Sequence, residues 1–169
     1  MEYKASLDKF AKIVTIGTTI FLLVIAYTYF TASHIQYKGL STTIFHYLGI
    51  LLPILILVPS YFLSTKSYIL DGNELTIVRR LGTKKIRLND IVEIRNLDES
   101  DIKRAKRLLA SGGLFGYFGK FHVKSVGNVN FYATQRRNGI LIIAEDGRHI
   151  VITPDDIGLA DTIRERIQK

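Results

Sequence analysis

The chain has 169 residues and no cysteine, and its 23 Lys and Arg against 15 Asp and Glu give a formal charge of +8. The lack of cysteine excludes a disulfide framework, a thiolate metal site and a cysteine nucleophile. The mean hydropathy is +0.17 although 22% of the residues are charged, so the two kinds of residue are segregated. Residues 1–65 hold four basic and two acidic side chains, and residues 66–169 hold 19 and 13, which predicts a membrane half and a basic soluble half.

Two long stretches without a charged side chain, 13–37 and 39–65, predict two transmembrane helices. A hydrocarbon core about 30 Å thick requires roughly 20 apolar residues in an α-helix. We therefore place the spans at about 13–31 and 43–63.

Three residues of the second span stand out from its apolar run. Pro53 and Pro59 each remove a backbone donor and predict kinks. His46 suggests a proton relay, but no Asp or Glu lies at membrane depth to partner it. An interfacial histidine is the favoured interpretation.

The loop between the spans, residues 32–42, is short enough to predict an antiparallel hairpin and holds only one basic residue, Lys38. The other basic residues near the membrane flank the hairpin: Lys4, Lys9 and Lys12 before it, and Lys66, Arg79 and Arg80 after it. The positive-inside rule then predicts an inner (plasma) membrane protein with both termini in the cytoplasm. The alternative is a signal peptide cleaved near Thr31-Ala32-Ser33, for which the apolar stretch is long.

Turn signals recur in the second half and are flanked by β-rich runs, which predicts an antiparallel sandwich or partly open barrel. These signals are Asp71-Gly72-Asn73, Leu81-Gly82-Thr83, Asn138-Gly139 and Asp146-Gly147. Apolar and polar residues alternate in several runs, as in half-buried strands. The predicted strands are Ser67–Leu70, Glu74–Arg80, Lys84–Leu88, Ile91–Leu97, Phe131–Arg136, Ile140–Ala144 and His149–Thr153.

Two helices are predicted among these strands. Asp98–Ala110 has acidic residues in its first turn and Gly112 after its end. At the C-terminus, Thr153 is a predicted N-cap, Pro154 occupies the first helical position, and Asp156 follows three residues after the cap.

A strand-rich module closed by one helix and carried behind two spans resembles the bacterial pleckstrin-homology-like (PH-like) domain family. The resemblance covers about Ser67–Lys169 and rests on the order of Gly113–Phe121, Phe131–Thr134, Asp146-Gly147 and Ile152–Asp156. It implies an α+β fold, in which a two-span helical hairpin precedes a PH-like antiparallel β-barrel with a C-terminal capping helix. It supplies no catalytic residues.

Gly113, Gly116 and Gly119 recur every third residue among aromatic side chains. The stretch lacks the companion residues of a phosphate-binding loop, so we interpret the glycines as bends and the aromatic residues as a covering surface. Its candidate partner contacts are Phe115, Tyr117 and Phe118.

Two basic clusters are candidate contacts with the membrane or with anionic lipid, since each basic group near an anionic leaflet contributes about 1 kcal/mol. The first, around a predicted hairpin turn, comprises Arg79, Arg80, Lys84, Lys85 and Arg87. The second, on the predicted helix Asp98–Ala110, comprises Lys103, Arg104, Lys106 and Arg107. A solvated basic face is an equally weighted alternative.

Catalysis and nucleic-acid binding have little support in the sequence. His122 and His149 lack metal-ligand spacing, and the helix start explains the adjacent Asp155 and Asp156. The membrane hairpin explains a basic surface without DNA or RNA. We therefore expect no enzyme, no metal and no cofactor.

The predicted function is that of a membrane-anchored binding or scaffolding module. Its partners would be another protein or a second copy of the chain, with anionic lipid as a further contact. The alternatives are an accessory subunit of a transporter or envelope-assembly complex that uses its spans, and, with less support, a lipid-modifying enzyme.

Overall fold

Two long apolar helices occupy the N-terminal third of the chain in the computed structural model, which describes residues 1–32 and 39–167. They are α1, Lys9–Thr31, and α2, Leu40–Leu63, and both are long and apolar enough to cross a membrane. Only 6% of the apolar window of α1 and 11% of that of α2 is buried. Apolar helices with so few buried side chains are suited to a lipid environment. The hairpin loop predicted at 32–42 falls mostly outside the described residues.

The two helices approach closely at Gly49. A Cβ atom on Gly49 would lie 2.5 Å from the Tyr29 ring, so only a glycine permits this approach. His46 is buried one turn before, with its ring centroid 6.1 Å from that of Tyr29. His46 therefore lies against the neighbouring helix, as a packed aromatic residue of the pair.

The remaining elements form two sheets and two short helices. The four-stranded antiparallel sheet has the order β1-β2-β3-β4, and the six-stranded sheet has the order β5-β9-β10-β8-β7-β6. The strands are β1 Glu2–Lys4, β2 Thr65–Asp71, β3 Glu74–Arg79, β4 Thr83–Arg87, β5 Ile91–Leu97, β6 Lys106–Gly113, β7 Gly116–Val123, β8 Gly127–Ala133, β9 Gly139–Ala144 and β10 His149–Ile152. The helices are α3, Glu99–Arg104, and α4, Gly158–Ile167. Two N-terminal apolar helices, followed by β-sheets and a C-terminal helix, confirm the predicted fold class.

Both sheets bury apolar residues in the core. One cluster lies between the four-stranded sheet, β9, β10 and α4, with Tyr68, Leu75 and Leu159 fully buried. The other is centred on stacked Phe121 and Phe131, whose ring centroids are 4.3 Å apart. It includes Ala11, so the first turn of α1 belongs to the core of the β-domain.

The predicted helix Asp98–Ala110 was wrong beyond Arg104. Ala105 is extended, and Lys106–Gly113 instead forms β6, paired along its length with β7. The helical spacing of the apolar residues was misleading, because Leu108 and Leu109 are 57% and 79% exposed. The ladder with β7 outweighs local helix propensity in this segment.

The C-terminal helix begins four residues later than predicted. The Thr153 hydroxyl does not cap it, because that oxygen accepts hydrogen bonds from the backbone amides of Thr134 at 2.9 Å and Gln135 at 3.3 Å. Asp156 instead accepts a bond from the Gly158 amide at 2.9 Å. The strands are mainly antiparallel as predicted, but β8 and β10 pair in parallel.

Candidate membrane-facing and binding site

The turn between β3 and β4 lies against the end of α2. The backbone amide of Arg80 donates to the Ser64 carbonyl at 3.1 Å, and that of Leu81 donates to the Phe62 carbonyl at 2.9 Å. The Arg80 guanidinium lies 4.4 Å from the Tyr61 ring centroid and donates to the Tyr61 hydroxyl at 3.0 Å. Leu81 is 63% exposed. The turn therefore presents one basic and one apolar side chain at the level of the last turn of α2.

The other residues of the first basic cluster lie farther along this hairpin. Lys85 pairs with Glu74 at 2.7 Å and Arg87 with Asp90 at 2.9 Å, so neighbouring carboxylates partly neutralise both. Lys84 lies near Asp146, whose carboxyl pKa is lowered first by the Arg148 backbone amide and least by Lys84. Of the five predicted residues, Arg79 and Arg80 lie closest to α2, and neither forms an ion pair within residues 1–32 and 39–167.

The second basic cluster is divided between a helix and a strand. Lys103 pairs with Glu99 at 2.7 Å, and this hydrogen bond holds the pKa of the Glu99 carboxyl below its usual value. Arg104 and Lys106 line one cavity, whereas Arg107 lines another. Adjacent residues in a strand face opposite ways, so the structure does not bring the four charges together.

The turn between β6 and β7 also contacts the membrane helices. Phe115 has a φ of 55°, and its amide donates to the Thr15 hydroxyl of α1 at 2.8 Å. The same hydroxyl donates to the Gly113 carbonyl at 3.2 Å. The Phe115 ring packs edge-on against Tyr61 of α2, with centroids 5.4 Å apart. Phe115 therefore contacts both helices of its own chain.

The other two predicted partner contacts also lie close to the membrane helices. Phe118 lines a small cavity of about 140 Å³ together with Leu63, the last residue of α2. Tyr117 is only 5% exposed and packs in the core, so it offers little surface to a partner. Burial, and then the nearby Asp8 carboxylate, raise the pKa of the Tyr117 hydroxyl above its ordinary value.

Asp8 joins α1 to the six-stranded sheet. Its Oδ1 accepts from the Ala11 amide at 2.7 Å, which caps the helix. Its Oδ2 accepts from the Arg136 amide at 3.1 Å, and both oxygens lie 3.2 Å from the Tyr117 hydroxyl. The Arg136 guanidinium covers the Phe10 ring at 4.1 Å. We call these contacts the Asp8 junction.

The outer edge of the six-stranded sheet is formed by β6, which pairs only with β7 among the described strands. Leu108 and Leu109 lie there at a bulge and are mostly exposed. Adjacent exposed leucines on an edge strand form a surface that proteins normally protect. We call this surface the β6 edge.

The region that follows α2 identifies the family of the chain. A family model for the bacterial PH domain matches residues 66–167. The chain belongs to the bacterial PH domain family. No curated protein and no solved structure matches the chain.

In this PH domain, β1 adds a strand contributed from ahead of the first span. Tyr3 is opposite Tyr68, and the terminal amine donates to the Leu70 carbonyl at 2.7 Å. Sequence reasoning missed β1, which has only three residues, and it missed the Asp8 junction. The position of Asp8 immediately before an apolar helix was the signal that could have found the cap.

The described residues contain no group of three or more His, Asp or Glu placed to hold a metal ion.

Tyr68 is fully buried and has a structural role. Its hydroxyl donates to the Tyr132 carbonyl at 2.6 Å and accepts from the Thr153 amide at 3.1 Å. Its burial raises the pKa of this hydroxyl above its ordinary value, which keeps it in the donating form.

Proposed function

We propose that the protein is a membrane-anchored PH-like scaffolding module that holds a partner protein at the β6 edge. The hairpin fixes the module beside the cytoplasmic leaflet, and the β3–β4 turn contacts anionic lipid. The observation that carries this proposal is the pair of exposed leucines, 57% and 79% accessible, on an edge strand whose outer side pairs with no other described strand.

The attachment of the PH domain to the hairpin supports a positional role. Ala11 is fully buried in the domain core, and Thr15 is hydrogen-bonded to the β6–β7 turn. The start of α1 and the end of α2 both contact the β-domain, so the two ends of the helical hairpin lie on the same side of the membrane as this domain. Lys9, Lys12 and Lys66 lie on that side, which favours the cytoplasm.

The composition of β6 indicates the kind of segment that it binds. Its free edge can hydrogen-bond to an extended segment, and its leucines provide apolar contacts. Lys106 and Arg107 immediately precede the leucines. An extended apolar segment bordered by acidic residues would therefore complement this edge in both respects.

A photo-cross-linking residue at Leu109 is expected to trap one discrete protein in cells. The purified pair should then bind at least tenfold more weakly when Leu108 and Leu109 are both changed to Ser, because their apolar contacts are lost. Val92 is the matched control, since it is 67% exposed on β5 at the opposite edge of the same sheet.

Val92→Ser should leave the affinity unchanged. An adduct of twice the mass of the chain would identify the partner as a second copy. Equal weakening by both changes, or no discrete adduct at Leu109, would contradict binding at the β6 edge.

The lipid contact rests on the β3–β4 turn, where Arg80 lies beside the end of α2. Arg80→Gln is expected to reduce the phosphatidylglycerol that co-purifies with the protein in mild detergent, measured by native mass spectrometry. Arg87→Gln is the control. It removes an equal charge from the end of β4 that is farthest from the β3–β4 turn, where Arg87 pairs with Asp90. If both changes release the same amount of lipid, the turn is not the contact.

The accessory-subunit alternative has one observation in its favour. An apolar groove of about 440 Å³ lies between α1 and α2, lined among others by Leu23, Tyr27 and Ile54. A cross-linker at Ile54 that traps the same discrete protein, with no adduct at Leu109, would favour binding through the spans.

A further inference from the structure

A cavity of about 410 Å³ lies between α3 and the start of the β6–β7 hairpin. We call it the basic cavity, and it is lined by Asp101, Arg104, Lys106, His122 and Lys124. We propose that it binds a phosphoryl-bearing anion. This proposal does not depend on the partner contact at the β6 edge.

The backbone fixes the positions of the basic groups. Lys106 is directly opposite His122 in the β6–β7 ladder, so their Cβ atoms lie about 5 Å apart. Lys124 lies in the turn that follows β7 and lines the same cavity. Arg104 ends α3, which is held to the β7–β8 turn by a hydrogen bond of 2.6 Å from Ser125 to Asp101.

The cations of the basic cavity lack protein counter-ions. Within residues 1–32 and 39–167, the side chains of Arg104, Lys106 and Lys124 form no ion pair or hydrogen bond, whereas neighbouring Lys103 pairs with Glu99. The one carboxylate that lines the cavity, Asp101, accepts the Ser125 bond. Arg104, Lys106 and Lys124 place three positive charges around one cavity, so a bound anion would reduce the repulsion among them.

The donor set favours a phosphoryl group. A phosphate carries nearly two negative charges and three acceptor oxygens. The planar Arg104 guanidinium can bind two of them, and the lysine ammonium groups supply further donors. His122 Nδ1 lies 2.9 Å from Asn128 Oδ1, which fixes the orientation of the ring. In the neutral tautomer that donates to this oxygen, Nε2 is an acceptor, so the donors to a phosphoryl group are those of Arg104, Lys106 and Lys124.

The position of the basic cavity favours a soluble ligand over a lipid headgroup. The Gly113 end of β6 is hydrogen-bonded to α1, and Lys106 lies at the other end of the strand. Eight residues of strand span roughly 25 Å, so this end is distant from the membrane contact. The volume is within the range of small-ligand sites, about 300–1,000 Å³. A small phosphorylated metabolite therefore fits the cavity.

The test uses the full chain in phosphatidylcholine nanodiscs, titrated with inorganic phosphate by calorimetry at constant ionic strength. Saturable binding is expected, and Lys106→Gln with Lys124→Gln should weaken it about tenfold or more because charged hydrogen bonds are lost. The control removes the same charge by Lys85→Gln with Lys103→Gln, both paired outside the cavity. It should bind phosphate like the unchanged protein.

Nanodiscs that contain phosphatidylglycerol distinguish the source of the phosphoryl group. Unchanged phosphate binding there supports a soluble ligand, whereas loss of phosphate binding supports the same cavity filled by a lipid headgroup. Absence of binding in phosphatidylcholine nanodiscs would overturn the proposal. Equal weakening by the cavity variant and the control variant would also overturn it, because the effect would then be general surface charge.

Discussion

Gly119→Ala is expected to destabilise the PH domain by about 3 kcal/mol or more, through backbone strain and overpacking. Gly119 lies in β7 at a φ of +107°, where side chains other than glycine are strained. A Cβ atom there would collide with the Leu109 carbonyl oxygen and lie 2.8 Å from the Ala110 Cα. Both atoms belong to the backbone of the paired strand, so neither can move without breaking the ladder.

Gly127→Ala separates strain from collision. Gly127 has a φ of +91°, but a Cβ atom there meets nothing within 4 Å. Thermal unfolding in mild detergent, followed by circular dichroism, should show a clearly smaller loss for Gly127→Ala. Equal losses would mean that the close approach of β6 and β7 contributes nothing, and that the β6 edge is less firmly held than its ladder indicates.

The parts of the fold that could be predicted are those determined by local sequence. The spans follow from two uncharged runs, and the strands on either side of Gly72 and Gly147 follow from alternation and turn residues. The segment from Lys106 to Gly113 could not be assigned in this way, because its spacing continues that of the preceding helix. Only pairing with β7 makes it a strand, and that pairing is not visible within the segment.

The positions of the candidate contact residues could be predicted only in part. Arg80 and Phe115 were identified from composition, and the structure places both beside Tyr61 at the end of α2. The basic cavity was not identified, since it joins a helix end, two strands and a turn. His122 was considered only as a metal ligand, and the sequence gives no indication that it is opposite Lys106.

The tertiary contacts of the hairpin have a consequence for how the module works. A PH domain on a flexible tether would sample many orientations above the bilayer. Here the first turn of α1 lies in the domain core, and the β3–β4 and β6–β7 turns each touch a membrane helix. The orientation of the β6 edge relative to α1 and α2 is therefore fixed, which would reduce the entropy lost on binding the proposed partner.

Asp8→Ala is expected to lower the free energy of unfolding by about 2–3 kcal/mol. It removes the N-cap of α1 and leaves the Tyr117 hydroxyl and the Arg136 guanidinium without their shared acceptor. The Arg136 side chain is only 27% exposed, so water cannot fully replace the lost carboxylate. Asp8→Asn keeps one acceptor oxygen for the helix cap but replaces the other, which accepts from Arg136, by an NH2 donor. It should therefore lose about 1 kcal/mol or more, but less than Asp8→Ala.

Asp161→Ala is the matched control for the Asp8 junction. Asp161 also pairs with an arginine, Arg164, but its side chain is 71% exposed, so its loss should change stability by less than about 0.5 kcal/mol. Thermal unfolding of the full chain in mild detergent measures all three variants. If Asp8→Ala behaves like Asp161→Ala, the junction does not hold the domain to α1, and a fixed direction for the β6 edge would have to come from the two hairpin turns alone.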